Sequence, residues 1–139
     1  MTLRMPLIAA CIVLASALSG CSSGASNENS GPPTNADALR DVANMIRDFS
    51  AASNRPPSKA ADLAGYKSLY HVGYQAIESG DVVVLWGAKV AGEGGGGGES
   101  IIAYEKAAPE SGGSVLLENG TVKQMSAAEF NAAPKAKKK

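Results

Sequence analysis

The chain has 139 residues, with 13 Lys or Arg against 13 Asp or Glu and 45% apolar residues. That length supports one domain with a modest core. Four of the basic residues fall in the last five positions, "KAKKK", which leaves a mildly acidic body and argues against a nucleic-acid-binding face on the fold.

Residues 1–20 have three parts: a basic start at Arg4, an apolar run from Met5 to Leu18, and small residues before Cys21. This is the layout of a secretory signal. The run falls short of the roughly 20 residues that a membrane-spanning helix requires. Cys11 lies inside the leader, so after its removal Cys21 is the one cysteine left. No intramolecular disulfide or cysteine metal cluster is then available.

The end of the leader, Leu18-Ser19-Gly20-Cys21, resembles the lipobox of bacterial lipoproteins. The resemblance implies cleavage between Gly20 and Cys21, and a diacylglycerol thioether on Cys21. It also implies, through Ser22 in place of Asp, sorting to the outer membrane facing the periplasm. Each buried CH₂ contributes about 0.8 kcal/mol, so more than one acyl chain makes a stable anchor. The alternative is an ordinary exported protein cut near Gly20, with Cys21 a free thiol.

Residues 22–35, "SSGASNENSGPPTN", contain no aliphatic side chain larger than Ala25 and read as a flexible tether behind Cys21. Such a link holds its two ends roughly 20 Å apart. A helix is expected over Thr34 to Asn54. Thr34 and Asp37 form a capping signal, and Leu39, Val42, Met45, Ile46 and Phe49 share one face. Pro56-Pro57 ends it, and Ser58 is placed to cap a short helix from Lys59 to Ala64, closed by Gly65.

From Tyr66 the pattern alternates. Tyr70, Val72, Tyr74 and Ala76 suggest a half-buried strand, and Val82 to Trp86, apolar on both faces, a central one. Ser100 to Lys106 is a third strand. "SVLLENGTVKQM" is a hairpin whose Asn119-Gly120 suits a two-residue I′ turn. Ser126 and Glu129 make a capping box for a short last helix, with Met125 and Phe130 as its hydrophobic staple. The expected fold is α+β: a long N-terminal helix packed on a four- or five-stranded, mainly antiparallel sheet. The single domain spans residues 36–133, after the leader 1–20 and the link 21–35, and before a basic tail 134–139. Phe49, Tyr74, Trp86 and Leu116 are expected at its centre.

Few residues invite a chemical role. The run Gly92 to Glu99 lacks the following helix and the Lys-Ser/Thr pair of a phosphate loop, so it reads as a loop between strands. His71, the single histidine, reads as an outward residue on an edge strand and not as part of a triad or zinc site. Asp37, Asp41 and Asp48 alternate with Arg40 and Arg47 as a solvated face. Trp86 and the tyrosines read as core rather than as a binding platform. The lysines at 135–139 read as solvated, with contact to anionic lipid or cell-wall polymer as the functional alternative. No catalytic residue, metal ligand or cofactor is assigned.

The order of parts, with "NRPPSKAADL" after the helix and "AYEKAAPESGGSVLLENGTVKQMSAAEF" at the end, resembles the periplasmic part of type II secretion pseudopilins. It resembles more closely the pilin-like proteins of Planctomycetes, whose endings run Tyr-Glu-Lys, Gly-Gly, Asp-Gly-His, Glu-Phe. The resemblance implies a helix laid across an antiparallel sheet. There is no prepilin cleavage motif or long hydrophobic stem, and Asn119-Gly120-Thr121 stands where the family has Asp-Gly-His, which removes any calcium or histidine role of that ending. The expected protein is a non-enzymatic binding or scaffolding lipoprotein. Its partners are membrane lipid through Cys21 and an envelope or secretion-system protein, with no nucleic acid. The alternative is a small ligand-binding or hydrolytic lipoprotein with a cleft near the glycine loop, lined by Trp86, His71 and acids.

Overall fold

A computed structural model describes residues 34–91 and 98–137. The expected leader, the expected cleavage and lipidation at Gly20 and Cys21, the expected link up to residue 33, glycine-run residues 92–97 and the last two lysines lie outside the described residues.

Helix α1 spans Asn35–Ser53 and starts from a closed capping box. The Thr34 hydroxyl accepts from the Asp37 N–H at 3.3 Å, and the Asp37 carboxylate accepts from the Thr34 N–H at 3.0 Å. These bonds satisfy N–H groups that the first turn cannot pair internally. Asn54, left-handed at φ 55°, ends the helix before Pro56. Its buried face carries Leu39, Val42, Met45, Ile46 and Phe49 in the 3.6-residue rhythm.

The following piece is a 3-10 helix, Ala60–Tyr66, that runs through Gly65 instead of stopping there. Ser58 is not its cap. The Ser58 N–H and hydroxyl both donate to the Asp62 carboxylate, at 2.8 and 2.9 Å. The turn carries Leu63 into the core with no exposed surface.

The expected strand at Tyr70 to Ile77 is instead helix α2, His71–Ser79. Tyr70, Tyr74 and Ile77 also repeat at helical spacing, so the local pattern fits both periods. Contacts with α1 decide between them. A side chain at Gly73 would put its Cβ 2.5 Å from the Asp41 Cβ and 2.9 Å from the Ala38 carbonyl, so glycine lets the two helices touch backbone to backbone. The Asp41 carboxylate then accepts from the Gly73 N–H at 3.1 Å, serving from another helix as the cap that Tyr70 does not supply.

Four antiparallel strands follow in the order β1-β2-β3-β4: β1 Val82–Val84, β2 Ile101–Glu105, β3 Gly113–Leu117 and β4 Val122–Met125. Among the described residues the sheet has four strands, since the would-be fifth is α2. The valine-rich β1 is an edge strand of three residues, not a central one. Its Val82 and Val84 face the same core as α1 and α2, which explains an apolar run at an edge. Trp86 lies beyond the strand and is half-buried, not central. Leu116 is fully buried, while Phe49 and Tyr74 sit at the rim of the buried set.

Both faces of the sheet are covered. Leu116, Ile102 and Ala103 point to α1, whereas Ile101, Val115, Leu117 and Met125 point to the other side. Strand alternation makes this partition, and a bulge in β2 interrupts it: Ile101 pairs with Leu117, Ala103 with Leu116 and Tyr104 with Val115, so two residues oppose one and Ile102 and Ala103 both face α1. The second face is closed by α3, Ala108–Ser111, and α4, Ala127–Ala132. The Ser126–Glu129 capping box is formed, and Met125 and Phe130 are both buried. The Phe130 ring lies tilted on Tyr104, centroids 4.8 Å apart.

The hairpin turn is not type I′. Asn54 is the only non-glycine residue at positive φ among the described residues, so Asn119 stays on the negative side and Gly120 alone, at φ 83°, is left-handed. The Gly120 N–H donates to the Leu117 carbonyl and the Leu117 N–H to the Thr121 carbonyl. That is a three-residue loop, Glu118-Asn119-Gly120, closed by a left-handed glycine.

The fold also continues past residue 133. Pro134–Ala136 runs parallel beside Ile101, accepting from its N–H at 2.8 Å and donating to its carbonyl at 2.8 Å. The Lys135 ammonium donates to the carbonyls of Phe130, Asn131 and Ala133 at the end of α4 and lies 4.5 Å from the centre of the Phe130 ring. The first tail lysine is thus a helix C-cap. No helix of the described residues is long and apolar enough to cross a membrane.

Candidate functional site

The topology gives the domain two chemically different ends. At the end where the chain enters α1, Asn35 shares an open cleft of about 410 Å³ with Asp81, Glu105, Lys106 and Glu110. β1 leads away from Asp81, and α1 runs the same way until Arg47 meets the hairpin glycine Gly120. At this far end Pro57 accepts from the Gly87 N–H at 2.9 Å, joining the turn after α1 to the turn after β1.

A recess of about 400 Å³ opens there, lined by Pro56, Gly87, Ala88, Lys89, Glu118 and Lys137. Four separate segments build it. The Pro56 side is fixed by proline geometry and the Gly87 bond. Lys89 follows a glycine at φ 92° that turns the chain out of β1. Glu118 opens the hairpin loop, and its N–H donates to the Ser100 carbonyl. Lys137 arrives because Pro134–Ala136 is bonded to Ile101 and Lys135 is tied to α4. Next to it, Trp86 lines a smaller cleft of about 290 Å³ with Ser58, Val84, Leu85 and Ala136.

The residues singled out in the sequence are scattered among other tasks. His71 is the exposed first residue of α2 and lines neither far-end cleft. Asp41 and Asp48 are not merely solvated: Asp41 caps α2, and Asp48 accepts from the Tyr70 hydroxyl at 2.8 Å. That bond, together with burial and the carboxylate charge, pushes the Tyr70 hydroxyl above its ordinary value. Asp37 pairs with Arg40 at 2.6 Å, and its bonds from Thr34 hold it below the usual carboxylate range. The Ser58 N–H and hydroxyl, aided by Arg55, lower Asp62 to about 2. Among the described residues, no group of three or more His, Cys, Asp or Glu side chains is placed to hold a metal ion.

The far-end recess escapes a reading of the sequence because Pro56, Lys89, Glu118 and Lys137 share no spacing rule. The lysine-rich ending was the one available signal, and it does not say where Lys137 lands. No protein-family model, characterised protein or solved structure matches this chain.

Proposed function

We propose that this chain is a bacterial lipoprotein of the cell envelope, anchored by acyl chains on Cys21 and acting by binding or scaffolding, not by catalysis. The observation that carries the reading is Leu18-Ser19-Gly20-Cys21 closing a short apolar run behind a basic start. The described domain supports it in one respect. Its first helix is capped by its own residues at Thr34, so it needs nothing from the preceding chain to begin. Residues 22–33 then serve as a link between anchor and body, with the outer membrane, periplasmic side, as the home that Ser22 favours.

A pseudopilin-like arrangement belongs to the same proposal, supported by α1 lying on one face of an antiparallel meander. Fold alone assigns no activity. The ligand-binding alternative draws on the far-end recess beside Glu118 and Lys89.

The test is the intact mass of the protein extracted from membranes, with and without Cys21→Ser. The expected wild-type mass lacks residues 1–20 and carries diacylglycerol. The variant keeps its leader and stays unacylated. A native protein recovered in the aqueous phase with an unmodified first residue would overturn the proposal.

A further inference from the structure

Charge is divided between the two ends of the domain. At the entry of α1, Asp81, Glu105 and Glu110 surround a single lysine, Lys106. At the far end Lys89 and Lys137 flank the recess against one carboxylate, Glu118. Among the described residues neither of these lysines is held in an ion pair; the pairs present involve Arg40, Arg55 and Lys67. In the sequence, Lys138 and Lys139 follow directly on Lys137. Lys137 is delivered to a fixed place, beside a lysine from a different segment, by the Ile101 pairing of Pro134–Ala136 and by the clamp that Lys135 makes on α4.

We propose that this far end binds a flexible polyanion, a polymer carrying repeated carboxylate or phosphate groups. The outward direction of that end rests on the lipid-anchor reading; the binding itself does not. Two features favour a polymer over an anionic bilayer. The lysines flank a recess, which a chain can enter and a flat headgroup layer cannot. The 19 residues of α1 also set the recess roughly 28 Å from the entry point, several times the screening length of about 8 Å in physiological salt. The acidic end, by contrast, is the one at which the preceding chain enters α1, and its carboxylates are repelled by anionic headgroups.

The test uses the full-length lipoprotein in phosphatidylcholine vesicles, with labelled polyglutamate and labelled polyphosphate as probes in separate arms, read by co-flotation at low and high salt. Binding of at least one polymer is expected, weakened about tenfold by Lys89→Gln with Lys137→Gln, with a shallower salt dependence. Lys106→Gln, at the opposite end, should leave it unchanged. The proposal is overturned if neither polymer binds at low salt, or if Lys106→Gln costs as much as the double change. It is also overturned if phosphatidylglycerol vesicles compete more strongly than either polymer. Cys21→Ser separates the two readings. Polymer binding by the variant, read in solution by fluorescence anisotropy of the labelled polymer without vesicles, must survive it, and its loss sinks the polyanion site. Continued flotation of the variant with vesicles sinks only the anchor.

Discussion

The two faces of the sheet are covered by different means. On one, α1 and α2 bring long apolar side chains in a regular helical stripe, and the helices approach closely enough that only glycine fits at position 73. On the other, two helices of four and six residues cover a smaller cluster around Phe130, held by a capping box and by the Lys135 clamp. The first face is stabilised mainly by buried area. The second depends on a few specific contacts, because helices that short do not persist by propensity. A single sheet serves both because the pleat of β3 buries side chains on both sides, and the β2 bulge turns the neighbours Ile102 and Ala103 to the same α1 layer.

Core truncations should show the contrast most strongly. Ile46→Ala, in the α1 layer, is expected to cost about 4 kcal/mol, and Phe130→Ala, in the α4 layer, about 3 kcal/mol. Urea unfolding measures both. If the Phe130 change cost clearly more, the ranking of the layers would be wrong; two separate transitions would show that the faces do not unfold together.

Gly73→Ala comes next, at about 2–3 kcal/mol, since the added Cβ meets backbone of α1 and must push α2 away. A neutral result would mean that the helices are not in the close contact described. Removing residues 134–139 should cost about 2 kcal/mol, through the lost Ile101 pairing and the exposed α4 carbonyls. Thermal unfolding of Lys135→Met then isolates the clamp from the strand pairing. Ser126→Ala should cost about 1 kcal/mol by opening the α4 capping box.

The smallest effects are those of pH. Asp37, Asp62 and Glu129 are held below their ordinary carboxylate values by bonds from Thr34, Ser58 and Ser126. Their stabilisation is present above the unfolded values near 4 and is lost as pH falls; for Asp62 the loss runs through about pH 2 and is complete only below it. Tyr70, raised by its bond to Asp48, behaves the opposite way: its contribution is present below about pH 10 and lost at higher pH. Melting temperatures across both ranges check the signs, and Tyr70→Phe should abolish the alkaline part.

Some of this was readable without coordinates. The pairs Thr34–Asp37 and Ser126–Glu129 could be read because both partners lie within one turn of chain. The α+β class and four of the strands followed from local alternation and turn residues. The Tyr70 to Ile77 segment is a helix where its alternation suggests a strand, because its side chains satisfy two periods and the choice falls to Gly73 and Asp41, 32 residues apart. Asn119-Gly120 marked a turn correctly but not its type, since the loop length depends on how β3 and β4 register.

The sequence by itself determined what depends on neighbours along the chain: the capping boxes that start α1 and α4, and the place of the hairpin. The tertiary structure alone decided that β1 lies at the edge, that the sheet is covered on both sides, and that Lys89 and Lys137 meet at one recess. Those outcomes come from contacts between segments far apart in sequence. Their free energy depends on which surfaces exclude water together, and no single stretch of chain encodes that.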